Sequence, residues 1–118
     1  MKYTIKTLDA SQKLATMISC VKKGKDQKGK DIDTWGIDKS EKGEVFVHTR
    51  EQWDQKCCIY CEIPNQKEEN IIKVEFYYWS KCKQEDRTEY DEGIVLGRFT
   101  ELLINHFADL NIKIEIEP

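Results

Sequence analysis

Four segments in a row, between residues 34 and 82, alternate apolar and polar side chains and are joined only by short polar connections. Parallel neighbours would need long crossovers, so short connections force consecutive strands to pair antiparallel. Residues 34 to 39 and 44 to 50 are separated by Ser40-Glu41-Lys42-Gly43, with glycine where a hairpin needs positive φ. Residues 56 to 63 form the third run, closed by Pro64 and the polar stretch Asn65 to Asn70, and residues 71 to 82 form the fourth. The period of 2 sends Ile72, Val74, Phe76, Tyr78 and Cys82 one way and Lys73, Glu75, Tyr77, Trp79 and Lys81 the other. One face of this meander is core, and the other is wet but aromatic.

The flanks switch period. Residues 2 to 8 read as a strand with Tyr3, Ile5 and Thr7 on one face. Asp9 and Gln12 then stand at capping-box spacing before Ala10, Leu14, Met17, Ile18 and Val21, a helical arc over residues 9 to 23 that Gly24 ends. Thr88 and Asp91 make a second cap pair, opening a helix over about residues 89 to 108 with Val95, Leu96, Phe99, Leu102, Leu103, His106, Phe107 and Leu110 on one side. Gly93 and Gly97 lie within that span, which means either a close backbone approach or a later start to the helix. Ile112, Ile114 and Ile116 alternate in a last strand. The order β-α-β-β-β-β-α-β predicts an α+β fold: a mainly antiparallel sheet of five or six strands with two helices packed on one face. At 118 residues, with no internal repeat or compositional break, residues 1–118 read as a single domain.

The N-terminus alternates where a secretion signal would be continuously apolar, and no stretch reaches the roughly 18 apolar residues of a membrane span. Five cysteines are an odd number, which fits a reducing compartment, so a cytoplasmic protein is expected. Cys58-Ile59-Tyr60-Cys61 has the spacing of redox and zinc sites, but on a strand residues three apart face opposite sides. Cys57, Ile59, Cys61 and Ile63 then form an apolar row, and no metal or cofactor is expected. Two histidines with Arg50 could in principle serve phosphodiester cleavage, yet no local spacing joins His48 to His106, and no known catalytic motif occurs. Catalytic residues are therefore not assigned, and an enzyme is not expected.

Charge is uneven. Residues 1–59 carry 12 basic and 9 acidic side chains and residues 60–118 carry 7 and 13, within a net charge of −3. Glu85, Asp86, Glu89, Asp91 and Glu92 concentrate the acidity, interrupted only by Arg87. A solvated helix entry accounts for part of this, but Glu85 and Asp86 precede the cap, where the dipole explains them less well, and the cluster can also steer a basic partner. Tyr77 and Trp79, among Lys73 and Lys81, are the expected anchors of such an interface. The expected function is a small binding or inhibitor protein. In format it is similar to the immunity proteins of bacterial toxin systems, which are small, often acidic and cap a basic toxin domain such as a nuclease. The likeness is one of layout, without a shared motif. The alternatives are a nucleic-acid-binding module using the lysine-rich loop 22 to 30 with the exposed aromatics, which the overall acidity opposes, and a small enzyme. Titration with a thiol reagent in denaturant should count five free thiols, and the purified protein should carry no stoichiometric zinc; zinc at one equivalent would show the strand assignment of Cys58 and Cys61 to be wrong.

Overall fold

In the computed structural model, which describes residues 1–64 and 70–118, the chain runs β1 (Lys2–Lys6), α1 (Ala10–Lys23), β2 (Trp35–Ser40), β3 (Gly43–His48), β4 (Cys57–Glu62), β5 (Ile71–Tyr78), α2 (Asp91–Phe107) and β6 (Lys113–Glu117). Short 3-10 turns lie at Glu51–Trp53, Gln84–Asp86 and Ala108–Leu110. Among the described residues the six strands make one sheet in the order β2-β3-β4-β5-β1-β6, with every neighbouring pair antiparallel. The meander from β2 to β5 is the expected one, and the N-terminal strand completes the sheet by fitting between β5 and the C-terminal β6. Of the polar stretch expected to close the third run, residues 65–69 lie outside the described residues.

The register explains which face is core. Ile37 opposes Phe46, Phe46 opposes Ile59, Ile59 opposes Phe76, and Ile5 lies between Ile72 and Ile114. These side chains share a face and join Met17, Cys20 and Val21 of α1 and Val95, Leu96, Phe99, Leu103 and Phe107 of α2 in one hydrophobic cluster. Both helices therefore cover the same face. Phe99, wholly buried, packs its ring 5.2 Å from Phe46, 5.7 Å from Trp35 and 6.2 Å from Tyr3. The Tyr3 hydroxyl donates to Thr100 Oγ1 at 2.6 Å, while Thr100 donates to the Leu96 carbonyl, so a buried phenol is satisfied by the same helix that covers it. The opposite face carries Val45, Val47, Cys58, Tyr60, Lys73, Glu75 and Tyr77; among the described residues neither helix covers it, although Val45 and Cys58 are buried there.

Several local expectations change. Asp9 takes a left-handed conformation (φ 53°) and makes no side-chain cap, so the Asp9–Gln12 box does not form; the Asp9 carbonyl still accepts the first helical hydrogen bond, from Lys13 N–H at 3.0 Å. Gly24 ends α1 as expected, at φ 75°. The segment Gly24 to Lys30, expected as a flexible solvated loop, is instead folded around Asp26. The buried Asp26 carboxylate accepts the backbone N–H groups of Lys28 (2.9 Å) and Lys30 (2.8 Å), and the five lysines of residues 22 to 30 point outward. The fourth run stops at Tyr78: Trp79 donates its backbone N–H to the Lys56 carbonyl, and a turn follows in which Cys82 N–H returns to the Trp79 carbonyl. Trp79, Lys81 and Cys82 therefore leave the faces that the alternation assigned to them.

Neither explanation for Gly93 and Gly97 holds. Both lie inside α2, both are exposed, and a Cβ added at either would meet nothing within 4 Å. Gly93→Ala and Gly97→Ala should each stabilise the fold by about 0.5–1 kcal/mol, the helix-propensity difference, read as a higher urea midpoint at constant m. A loss of stability in either variant would mean that the helix surface is occupied within the monomer.

Candidate functional site

The acidic segment divides into an inward and an outward set. Asp91 is 2% exposed, although the sequence reading placed it among the partner contacts. Its carboxylate accepts hydrogen bonds from Thr88 N–H (2.8 Å), Thr88 hydroxyl (3.0 Å), Tyr78 hydroxyl (2.7 Å) and Lys56 Nζ (3.1 Å). Burial alone would raise this carboxyl, but the Thr88 amide, the Tyr78 hydroxyl and Lys56 outweigh it and hold Asp91 at about 2. Thr88 completes the cap by accepting Tyr90 N–H at 3.2 Å. Asp91 is thus the bolt that fastens the start of α2 to β5 and to the residue before β4, and it has nothing left to offer a partner. Arg87 also turns inward, its guanidinium 4.6 Å from the Tyr78 ring centroid and donating to the Cys82 carbonyl at 2.9 Å.

With Arg87 folded in, Glu85, Asp86 and Glu89 are exposed and Glu92 half-buried, and none of the four forms an ion pair among the described residues. They lead along the chain into the first turn of α2. There Tyr90 (67% exposed) and Ile94 (45%) sit at helical spacing beside Gly93 and Gly97. Sequence reasoning missed this pair because Tyr90 and Ile94 fall outside the apolar arc and were left as surface.

The predicted anchors separate. Tyr77 is on the uncovered sheet face, with its hydroxyl hydrogen-bonded to Glu75 and Lys42 Nζ 4.6 Å from its ring centroid. Trp79 is half-buried in the turn after β5. The cysteines behave as core thiols. In the β4 register Cys58 opposes Tyr77 on the uncovered face and Cys61 opposes Val74 in the core, so their sulfurs cannot converge on one atom. Burial pushes the thiols of Cys57 and Cys58 up, to about 12 and about 11, and raises Cys61 further, which leaves them protonated and unreactive at neutral pH. Among the described residues, no group of three or more His, Cys, Asp or Glu side chains is placed to hold a metal ion.

A second feature comes entirely from the tertiary fold. A cleft of about 480 Å³ opens between the ends of β2 and β3, the connection after β3 and the C-terminal half of α2. It brings together His48 and His106, 58 residues apart in sequence, with Arg50, Arg98, Glu101, Asn105, Trp35 and Trp53. His106 Nδ1 lies 2.8 Å from Asp26 Oδ2, and the pair is nearly buried. The His106 ring, joined by the Lys30 and Lys28 amides, holds the Asp26 carboxyl below the ordinary carboxylate range. His48 Nδ1 accepts Arg50 N–H at 3.3 Å, and its ring stands edge-on to Trp35 with centroids 5.1 Å apart. Partial burial lowers the His48 pKa, and the Arg98 and Arg50 charges lower it further.

No protein-family model, curated protein or solved structure matches this chain. Among the described residues no helix is long and apolar enough to cross a membrane.

Asp91→Ala should cost about 3 kcal/mol, because it strands Lys56 and the Tyr78 hydroxyl beside a lost cap. The folded carboxyl lies below its ordinary value, so its stabilising contribution is complete above the ordinary 3.8 and is lost as the pH falls through about 2. Urea midpoints measured from pH 5 to pH 2 should therefore fall less steeply for Asp91→Ala than for the parent protein, and parallel curves would contradict the assignment.

Proposed function

We propose that this protein works by binding, and that it blocks a basic protein partner in the manner of a bacterial immunity protein that neutralises a toxin domain. The observation that carries this reading is that Glu85, Asp86 and Glu89, exposed and unpaired among the described residues, lead along the chain into the exposed Tyr90 and Ile94 at the start of α2. Carboxylates without internal partners give a steering field, but exposed ion pairs are worth only about 0–1 kcal/mol each, so affinity needs an apolar anchor. Tyr90 and Ile94 supply it, in place of Tyr77, whose hydroxyl is already occupied by Glu75. Trp79, at the same end of β5, adds to the rim. Gly93 and Gly97 each cost a helix interior about 1 kcal/mol relative to alanine and nothing inside the fold requires them, whereas a flat helix surface lets a partner's backbone come close.

The nucleic-acid reading draws less from the structure. Within the lysine-rich loop, Lys22 pairs with Glu44 and Lys25 with Asp31 at 2.8 Å, which removes part of the charge that phosphate contacts need.

The test compares association and dissociation with the partner. Glu85→Lys with Asp86→Lys should slow association and flatten its salt dependence, while Tyr90→Ala should mainly hasten dissociation, by tenfold or more if it is a hot spot worth about 2 kcal/mol. Unchanged association of the charge-reversed protein at low salt would refute the reading, as would survival of host cells that carry the partner toxin after this gene is deleted.

A further inference from the structure

We propose that the cleft between β3 and the C-terminal half of α2 binds the phosphate group of a small phosphate monoester, held between Arg50 and Arg98 and hydrogen-bonded by His106, with Asp26 positioning the imidazole. This is a second site, independent of the acidic surface. Its cations come from two different elements, Arg50 from the connection after β3 and Arg98 from α2, so two planar guanidinium groups line one concavity. A tetrahedral oxyanion offers oxygens in more than one plane and suits two such forks, whereas a carboxylate is satisfied by one. Both arginines line the same cleft as the two histidines.

His106 is built rather than incidental. Asp26, buried and fixed by two backbone amides, engages Nδ1 of His106, which leaves Nε2 as the nitrogen open to a ligand. A loop of five outward lysines is thereby folded around one carboxylate, whose second oxygen holds an imidazole that lines the cleft. Two carboxylates, Asp33 and Glu101, also line the cleft, but Arg98 Nη1 meets Glu101 only at 3.4–3.5 Å and keeps donors to spare. At about 480 Å³ the cleft is larger than a bare phosphate ion, which is why the ligand is taken to be an ester.

The experiment is an NMR titration of the full chain with inorganic phosphate, phenyl phosphate and acetate at constant ionic strength, following backbone amides and the histidine rings. Both phosphates should give saturable shifts confined to residues near Arg50, Arg98 and His106, and phenyl phosphate should bind the more tightly. Arg98→Gln and Arg50→Gln alter exposed side chains that the core does not use, and each should weaken binding by about tenfold or more, the loss of a charge-assisted hydrogen bond. Asp26→Asn should weaken it as well by releasing the ring, with the amide spectrum reporting whether the loop stays folded. No saturable shift with either phosphate, shifts that persist unchanged in the Arg50→Gln/Arg98→Gln double variant, saturation by acetate at lower concentration than phosphate, or inorganic phosphate binding that phenyl phosphate does not match would each overturn the assignment. None of these outcomes depends on the partner-binding surface.

Discussion

Phe99 is the point from which the rest of the structure is set. Its ring lies within 6.2 Å, centroid to centroid, of Tyr3, Trp35 and Phe46, which belong to three different strands. Such tilted and edge contacts add roughly 0.5–1.5 kcal/mol each to what burial alone contributes, and removing a buried Phe typically costs about 3–5 kcal/mol. The position matters more than the sum. Because β1 is inserted between β5 and β6 while Trp35 stands on the far edge strand β2, one side chain of α2 ties opposite parts of the sheet together. The helix then has no freedom to slide, and the hydrogen bond from Tyr3 to Thr100 fixes its rotation.

Fixing α2 also fixes what its two ends present. Its first turn is bolted by Asp91 to Tyr78 and Lys56, which leaves the neighbouring carboxylates facing water without internal partners among the described residues. Its C-terminal half carries Arg98, Glu101, Asn105 and His106 over the end of β3, where His48 and Arg50 meet them. On the outer side of the same helix Tyr90 and Ile94 are exposed, and a Cβ at Gly93 or Gly97 would meet nothing within 4 Å among the described residues. One helix thus provides a structural carboxylate, an exposed surface and one wall of a cleft, and the aromatic contact beneath it determines where each one points.

The elements were legible in the sequence because each rests on a local signal. Tyr3, Ile5 and Thr7 alternate and are all buried; Val95, Leu96, Phe99, Leu102 and Leu103 follow the helical period and are all core. The failures have equally specific causes. Alternation through residue 82 extended β5 past its end, because nothing in the pattern reveals the turn that follows the last in-register bond, from Trp79 N–H to Lys56, and returns Cys82 N–H to the Trp79 carbonyl. Counting charges treated Asp91 like its neighbours, although the spacing from Thr88 to Asp91 already marked it as a cap and the preceding strand ended in a tyrosine able to reach it. Asp9 shows the reverse error, since cap spacing there is not accompanied by cap geometry. The cleft could not be read at all. His48 and His106 meet only because α2 crosses back over the edge of the sheet, and Asp26 reaches His106 across 80 residues of sequence.

The two ionic centres of the molecule illustrate why a buried charge carries more information than an exposed one. Asp91 and Asp26 are both nearly inaccessible carboxylates; Asp91 is satisfied by one backbone N–H, two hydroxyls and Lys56, and Asp26 by two backbone N–H groups and His106. For Asp91 every partner is structural, and the arrangement closes on itself: cap, strand, lysine. For Asp26 the arrangement stays open, because its side-chain partner is an imidazole with a second nitrogen. An aspartate that only had to hold the loop of residues 24 to 30 would be satisfied by its amides and water. Burying the carboxylate against His106 instead carries a desolvation cost that a loop fastening does not require, and what it secures is the position of one ring in the lining of the cleft that gathers both histidines.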